Sequence, residues 1–341
     1  MNADRFQEIT SSYADLSIAV VGDYSCDRYL EIDPTKQETS IETGLPVHNV
    51  TNVRAQPGAS GTIVSNLAAL GIGEIWPVGF CGADGEGFEL CHALKQLPGV
   101  KMDHFMESIE QRTFTYCKPL VMKVAQPPRE LNRLDSKNWH PTPSALQDQL
   151  ANAVQKLAPQ VDAMIVLDQV DKLGTGVITS RILETIDKFI ETTLSKQPLP
   201  IIIGDSRNGF EGWPNINLKM NLDEFRKMTS IPLKSLKDIK SAVANLASST
   251  ARNIFVSMAG NGIICGDSSG KINHQAGLPV CGEIDIVGAG DAVMASLTAS
   301  LAASAEAGEA IELANAAASI SIHKLGTTGT ASLKEIGPLV S

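Results

Sequence analysis

The sequence predicts an α/β fold: a mostly parallel sheet covered on both faces by helices, three layers in all, with a small β-sheet lid. Three observations carry this. Short apolar runs recur along the chain, segments with apolar residues at helical spacing lie between them, and two β-rich insertions interrupt the alternation. Apolar strands alternating with helices mark a parallel sheet buried on both sides.

Taken in order, Ser17–Gly22 (Ser-Ile-Ala-Val-Val-Gly) reads as a buried strand. Residues 31–57 contain Pro34, Pro46 and Pro57 among extended pieces, and residues 111–124 are rich in β-branched and aromatic side chains. These insertions are expected either to join into one lid, from about 31–57 and 108–134, or to remain separate surface hairpins. Ser144–Leu157 and Thr175–Leu194 read as helices, and Ala163–Leu167, Ile201–Gly204 and Ile254–Ser257 as buried strands. Gly266–Lys271 reads as a hairpin turn rather than a shortened phosphate loop. The Ala-rich stretch Glu306–Lys324 is expected to be a helix closed by Gly326. No internal repeat or low-complexity linker divides the 341 residues, so 1–341 is expected to be a single domain.

Composition narrows the function. Hydrophobic residues make up 43% and aromatic residues only 5%, so Ala, Val, Leu and Ile must build the core. A net charge of −10 disfavours nucleic acid and anionic membranes as partners. Cys26, Cys81, Cys91, Cys117, Cys265 and Cys281 form no C-x-x-C pair, which fits reduced thiols in a cytoplasmic protein. The N-terminus is polar, without a secretory signal, and no apolar stretch is long enough to span a bilayer. Neither G-x-x-x-x-G-K-[ST], a helix-opening G-x-G-x-x-G nor H-E-x-x-H occurs.

The most informative segment is 285–291, Asp-Ile-Val-Gly-Ala-Gly-Asp, followed at once by a small-residue and aliphatic run. A glycine-rich turn opening into a helix leaves backbone N–H groups pointing at one spot, where they and the helix dipole favour an anion. Asp291 stands there ready to take a proton from whatever approaches the anion, which points to phosphoryl transfer to a hydroxyl. At a helix N-terminus its carboxylate is expected to stay ionised at neutral pH. The competing reading is an ordinary N-cap after a tight turn.

Four segments in order resemble the ribokinase-like (PfkB) carbohydrate kinases over nearly the whole chain, and within them the heptose-phosphate kinase domains of bifunctional ADP-heptose synthesis proteins. They are Val21–Tyr29, Pro57–Gly71, Asn221-Leu-Asp-Glu224 and 285–291, with Asn315-Ala-Ala-Ala and Lys324-Leu-Gly-Thr following. The resemblance implies a ribokinase-like core with a β lid, often a homodimer through the lids, ATP as phosphoryl donor with Mg²⁺, and room for a monovalent cation. It implies Asp291 as catalytic base, an anion hole from Gly288, Ala289 and Gly290, and Asn221 and Glu224 around the metal. It places Asp27, Gly58 and Thr62 at the sugar, and Ser257, Gly260, Gly262 and Asn315 at the nucleotide. Read without it, Asn221–Glu224 is a helix-capping pair, Asp23 shapes a turn, and 58–61 is a tightly packed helix start.

Three departures bear on the substrate. Ala59 replaces the second of paired glycines, Thr62 replaces a sugar-contacting Asn, and Ala259 replaces a glycine of the nucleotide segment. Asp205-Ser-Arg207 stands where Asp-Pro-Lys is usual, and Arg207 meets either a phosphate or a surface partner. The function expected is an ATP-dependent sugar or sugar-phosphate kinase. Its rivals are a nucleoside kinase of the same fold and a non-catalytic sugar or nucleotide sensor. No second, nucleotidyl-transfer domain is expected in the sequence.

Overall fold

The computed structural model describes residues 1–123, 125–194 and 198–340. Ser17–Gly22 shows how the layers arise. Side chains alternate across a strand, so Ile18 and Val20 enter one hydrophobic cluster while Ala19 and Val21 enter the other. Helices Ser60–Leu70, Ala289–Ala302 and Ala307–Ile322 cover the first face, and Ser144–Leu157 and Ser180–Thr193 the second. With few aromatics, close packing rests on small residues: Val293, Leu297, Ala310 and Ala314 share a cluster between the two C-terminal helices.

The main sheet has nine strands. From one edge they run Ile272–Gln275, Ile263–Gly266, Ile254–Ser257, Asn217–Asn221, Ile201–Ser206, Ala163–Asp168, Ser17–Gly22, Glu74–Gly82 and Phe105–Ser108. The pair Ile263–Gly266 and Ile272–Gln275 forms an antiparallel hairpin, and every pairing from Ile254–Ser257 onward is parallel. Gly266–Lys271 is indeed its turn, closed by the Asp267 amide donating to the Lys271 carbonyl. In such sheets ligands bind beyond the carboxyl ends of the strands. There Asp23, Asp168, Asp205, Asn221 and Ser257 gather.

The β insertions join in part: within the first, Glu38–Thr39 and Pro46–Val47 pair only with each other as a separate hairpin, while the flanking strands enter a common sheet. The lid sheet orders Leu134–Ser136, Phe114–Val121, Tyr24–Ile32 and Val50–Ala59, with Arg129–Glu130 paired to Phe114–Val121. Its boundaries differ from those expected. Tyr24–Ile32 is a full lid strand, and Phe105–Ser108 belongs instead to the main-sheet edge beside Gly79–Gly82. Residue 124, at the end of the second insertion, lies outside the described residues.

Two helix ends also differ. The helix expected from Thr175 starts at Ser180, because the Val177 amide donates to Asp23 at 2.7 Å instead of joining a helical ladder. The C-terminal helix ends at Ile322 with His323 as its cap, so Gly326 lies in the following turn at φ +67°. A further helix, Leu333–Val340, packs behind it with Pro338 inside.

Candidate active site

Helix Ala289–Ala302 begins on Gly288, which adopts φ +83°, a left-handed conformation natural to glycine. The Ala289 amide donates to the Ile286 carbonyl at 3.3 Å. Among the described residues the amides of Gly288, Gly290 and Asp291 have no protein partner, so two of the expected three donors are free and Asp291 stands in for Ala289. A side chain at 290 would approach the Lys219 ammonium, its Cβ 3.3 Å from Nζ, and one at 288 would come within 3.5 Å of the Thr62 methyl. Gly288 and Gly290 thus keep side chains out of the space between Thr62 and Lys219, where an anion pocket is proposed.

Lys219 is the principal residue that sequence reasoning missed. It lies inside the strand Asn217–Asn221, 6% exposed, with Nζ 2.5 Å from Asp205 Oδ2 at the end of the neighbouring strand. Burial alone would lower its ammonium, but Asp205 outweighs that and holds it above its ordinary value. Burial pushes the Asp291 carboxyl up to about 7, with Lys219 opposing and Asp205 reinforcing. This corrects the expectation of a fully ionised carboxylate: in the free protein the acid is poised near neutrality.

Asn221 and Glu224 realise a complete capping box. Asn221 Oδ1 accepts from the amides of Asp223 and Glu224, both at 2.9 Å, and Glu224 Oε2 accepts from the Asn221 amide at 2.7 Å. Burial raises the Glu224 carboxyl. Among the described residues no cluster of three or more His, Cys, Asp or Glu side chains is arranged to hold a metal ion. A magnesium ion carried by phosphates and waters, with one or two carboxylates, needs no such cage.

On the lid side, Asp27 is 6% exposed and receives a hydrogen bond from Lys118 Nζ at 3.4 Å; burial raises its carboxyl, and Lys118 moderates the effect. Gly58 faces Asp27 and Ser25 so closely that a Cβ would clash with both. Ala59 has φ +52° and ψ −121°, a conformation glycine adopts freely and alanine does not. Thr62 is buried and its hydroxyl donates to the Pro57 carbonyl at 3.3 Å, so it packs beside the anion pocket and its one donor is spent within the protein. A cleft between lid and core is lined by Tyr24, Ser25, Ala59, Tyr116, Lys137 and Lys172. The Ser25 hydroxyl in it is buried without a hydrogen-bond partner, and Arg133 and Lys137 both lie over the Tyr116 ring.

Asp23 does more than shape its own turn. Its carboxylate accepts from the amides of Gln169, Val170 and Val177, at 2.7, 3.2 and 2.7 Å, and so fixes the loop beneath that cleft. On the opposite side of the anion pocket, Ser257 pairs in register with Asn221, and Asn315 Nδ2 donates to the Ala276 carbonyl at 2.8 Å. Gly260, Asn261, Ala276 and Gly277 line a groove there with Leu236 and Met258. Gly262, at φ +83°, admits no Cβ because the Gln275 carbonyl fills that space. Ala259 takes φ +48°. Arg207 is exposed and has no ion-pair partner among the described residues.

A helix start with free amides, on a core of a mostly parallel sheet that carries a small β-sheet lid with a cleft between lid and core, fits the architecture of a carbohydrate kinase. Residues 17–334 match the pfkB family of carbohydrate kinases, and the chain belongs to that family. It is a phosphotransferase that uses an alcohol group as acceptor, in an ATP-using family. Among curated proteins it is similar to the bifunctional protein HldE of Gluconobacter oxydans, 26% identical over 94% of this chain and 63% of that protein. HldE of Rhodospirillum rubrum is 28% identical over 94% of this chain and 61% of that protein. The chain therefore spans about three fifths of these relatives. Its fold is shared with phosphofructokinase-2 from Escherichia coli in complex with substrates and products, at TM-score 0.71, 19% identity and coverage of 95% and 98% of the two chains. It is also shared with Arabidopsis thaliana ribokinase complexed with ribose and ATP, at TM-score 0.68, 18% identity and coverage of 96% and 99%. No helix among the described residues is long and apolar enough to cross a membrane.

Proposed function

We propose that residues 1–341 act as one kinase domain that transfers the γ-phosphoryl group of ATP to a hydroxyl of a sugar phosphate, heptose-phosphate-like in class. The observation that carries this reading is Asp291 beside three free amides, with the Lys219–Asp205 pair in contact with the same pocket. The transition state is loose, so positioning and charge stabilisation matter more than a strong base. The amides of Gly288, Gly290 and Asp291 would hold the developing charge. The acceptor hydroxyl, oriented by Asp27 and faced by Gly58, would attack phosphorus as its proton passes to Asp291; ADP leaves with the electrons of the broken P–O bond. Asn221 and Glu224 would hold the Mg²⁺, directly or through waters, and the bound metal supplies charge neutralisation on the phosphates. Ser257, Gly260, Gly262 and Asn315 would frame the nucleotide.

Lys137 and Arg133 lie over the Tyr116 ring, ion-paired with Asp171 and Asp135 at 2.5 and 2.7 Å, and Lys172 lines the same cleft as Lys137. The preference for a phosphorylated acceptor over a neutral sugar is supported chiefly by the resemblance to heptose-phosphate kinases, with these cations available to a phosphate as their pairs open. Dimerisation through the lids is part of the proposal, supported by exposed Val50 and Val53 on the lid strand Val50–Ala59 and exposed Leu45 and Val47 on the small hairpin that precedes it; sedimentation would report the dimer. The test of activity is ATP consumption over hexoses, heptoses, their phosphates and nucleosides, with Asp291→Asn as control. A sugar phosphate should be turned over fastest, and the variant should lose roughly a hundredfold or more. Preference for a nucleoside would replace the substrate class, and absence of any acceptor would favour a sensor.

A further inference from the structure

A second reactive feature lies away from the phosphate-binding end. Cys81, near the end of the strand Glu74–Gly82, and Cys91, in the helix Gly85–Lys95, bring their Sγ atoms to 3.6 Å. Both are free thiols; Cys81 is buried and Cys91 partly exposed. The two are chemically unequal. The sulfur–sulfur contact with Cys81 holds the Cys91 thiol below its ordinary value, with Lys95 one helical turn away assisting against burial. The same contact, with burial, holds Cys81 well above. An accessible, thiolate-prone sulfur beside a buried second thiol is the arrangement of an attacking and a resolving cysteine.

The pair also spans a mechanical joint. Cys81 belongs to the core sheet. The helix bearing Cys91 also bears Glu89, whose carboxylate accepts from Arg28 Nε and Nη2 at 2.9 and 3.1 Å. Arg28 sits on the lid strand Tyr24–Ile32, next to Asp27.

We propose that Cys81 and Cys91 are a hydroperoxide-oxidisable dithiol whose disulfide tethers the helix under the lid to the core sheet. In the first step the Cys91 thiolate attacks a peroxide oxygen; the O–O bond breaks, the leaving oxygen takes a proton, and Cys91 becomes a sulfenic acid. The Cys81 sulfur then displaces the sulfenic hydroxyl, the S–S bond forms, and water departs with the Cys81 proton. Two thiols are oxidised and one hydroperoxide is reduced. The sulfurs must close from 3.6 Å to a bond of about 2.05 Å, which draws the helix toward the strand.

The test treats the full chain with hydrogen peroxide, alkylates free thiols, digests without reductant and reads the peptides by mass spectrometry. A Cys81–Cys91 cross-linked pair two hydrogens lighter than the reduced peptides is expected, reversed by dithiothreitol. It should be absent in Cys91→Ser and Cys91→Ala and retained in Cys281→Ser, which removes an exposed thiol elsewhere. Hydrogen exchange over Tyr24–Ile32 should slow severalfold on oxidation and recover on reduction. Overoxidation of Cys91 while Cys81 stays alkylatable, or a cross-link to Cys26 or Cys117 instead, would overturn the dithiol. A cross-link that leaves lid exchange unchanged would overturn the tether.

Discussion

Replacing Asp291 by Asn should make the protein more stable at pH 8 while removing its activity. Burial raises the Asp291 carboxyl from its ordinary 3.8 to about 7. A difference of that size corresponds to ~4 kcal/mol of destabilisation whenever the folded site holds the charge. The sign follows from linkage. Between the unfolded and folded values the native state binds the proton and the unfolded state does not, so stability falls as pH rises through this window. Above pH 7 the site is ionised and the whole penalty is in place; at pH 5 the folded carboxyl is neutral and more than half of it is gone. Asn has the shape of Asp and no charge to desolvate. After relaxation of the pocket, we expect the variant to gain about 1–3 kcal/mol at pH 8 and distinctly less at pH 5. Urea unfolding of both proteins at the two pH values reads this directly, and comparing them cancels other titrating groups such as Asp23, which burial also raises to about 7. A variant less stable than the parent at pH 8, or a difference independent of pH, would refute the reasoning.

Three further outcomes follow from the same packing. Ala59→Gly relieves a backbone held at φ +52° and should stabilise the protein by about 1 kcal/mol in urea, against the usual loss when glycine replaces alanine. Asp23→Ala strips three amides of their acceptor and should cost about 2–3 kcal/mol, with faster exchange of the Gln169, Val170 and Val177 amides as its local signature. Lys219→Met leaves Asp205 buried and unpaired and should cost about 3–5 kcal/mol. Adding Asp205→Asn should restore most of that stability without restoring turnover, as paired melting and ATP-consumption measurements would report.

The layers were legible because burial on both faces forces apolar strands such as Ser17–Gly22 and Ala163–Asp168, and the glycine turn opening a helix at Gly288–Asp291 because it is local in sequence. Tyr24–Ile32 was harder to read as a strand, since its partners Val50–Ala59 and Phe114–Val121 lie far along the chain and decide its role. Asp23 illustrates the same limit: its acceptors' partners are 146 to 154 residues away. Lys219 left a faint signal, a single cation inside the strand segment Asn-Leu-Lys-Met-Asn; only the adjacent Asp205 explains why it can be buried. The Thr62 hydroxyl and the Ala289 amide, expected at the sugar and the anion, turn to Pro57 and Ile286, a choice set by local backbone geometry.

The proposed base makes its most direct claim through the pH dependence of kcat/KM, measured with ATP and whichever phosphorylated sugar is turned over fastest. The account predicts an acid limb with an apparent pKa near 7 in the parent protein, and only a low, flat residual rate in Asp291→Asn. The same acid limb at near-parental rate in the variant would contradict it.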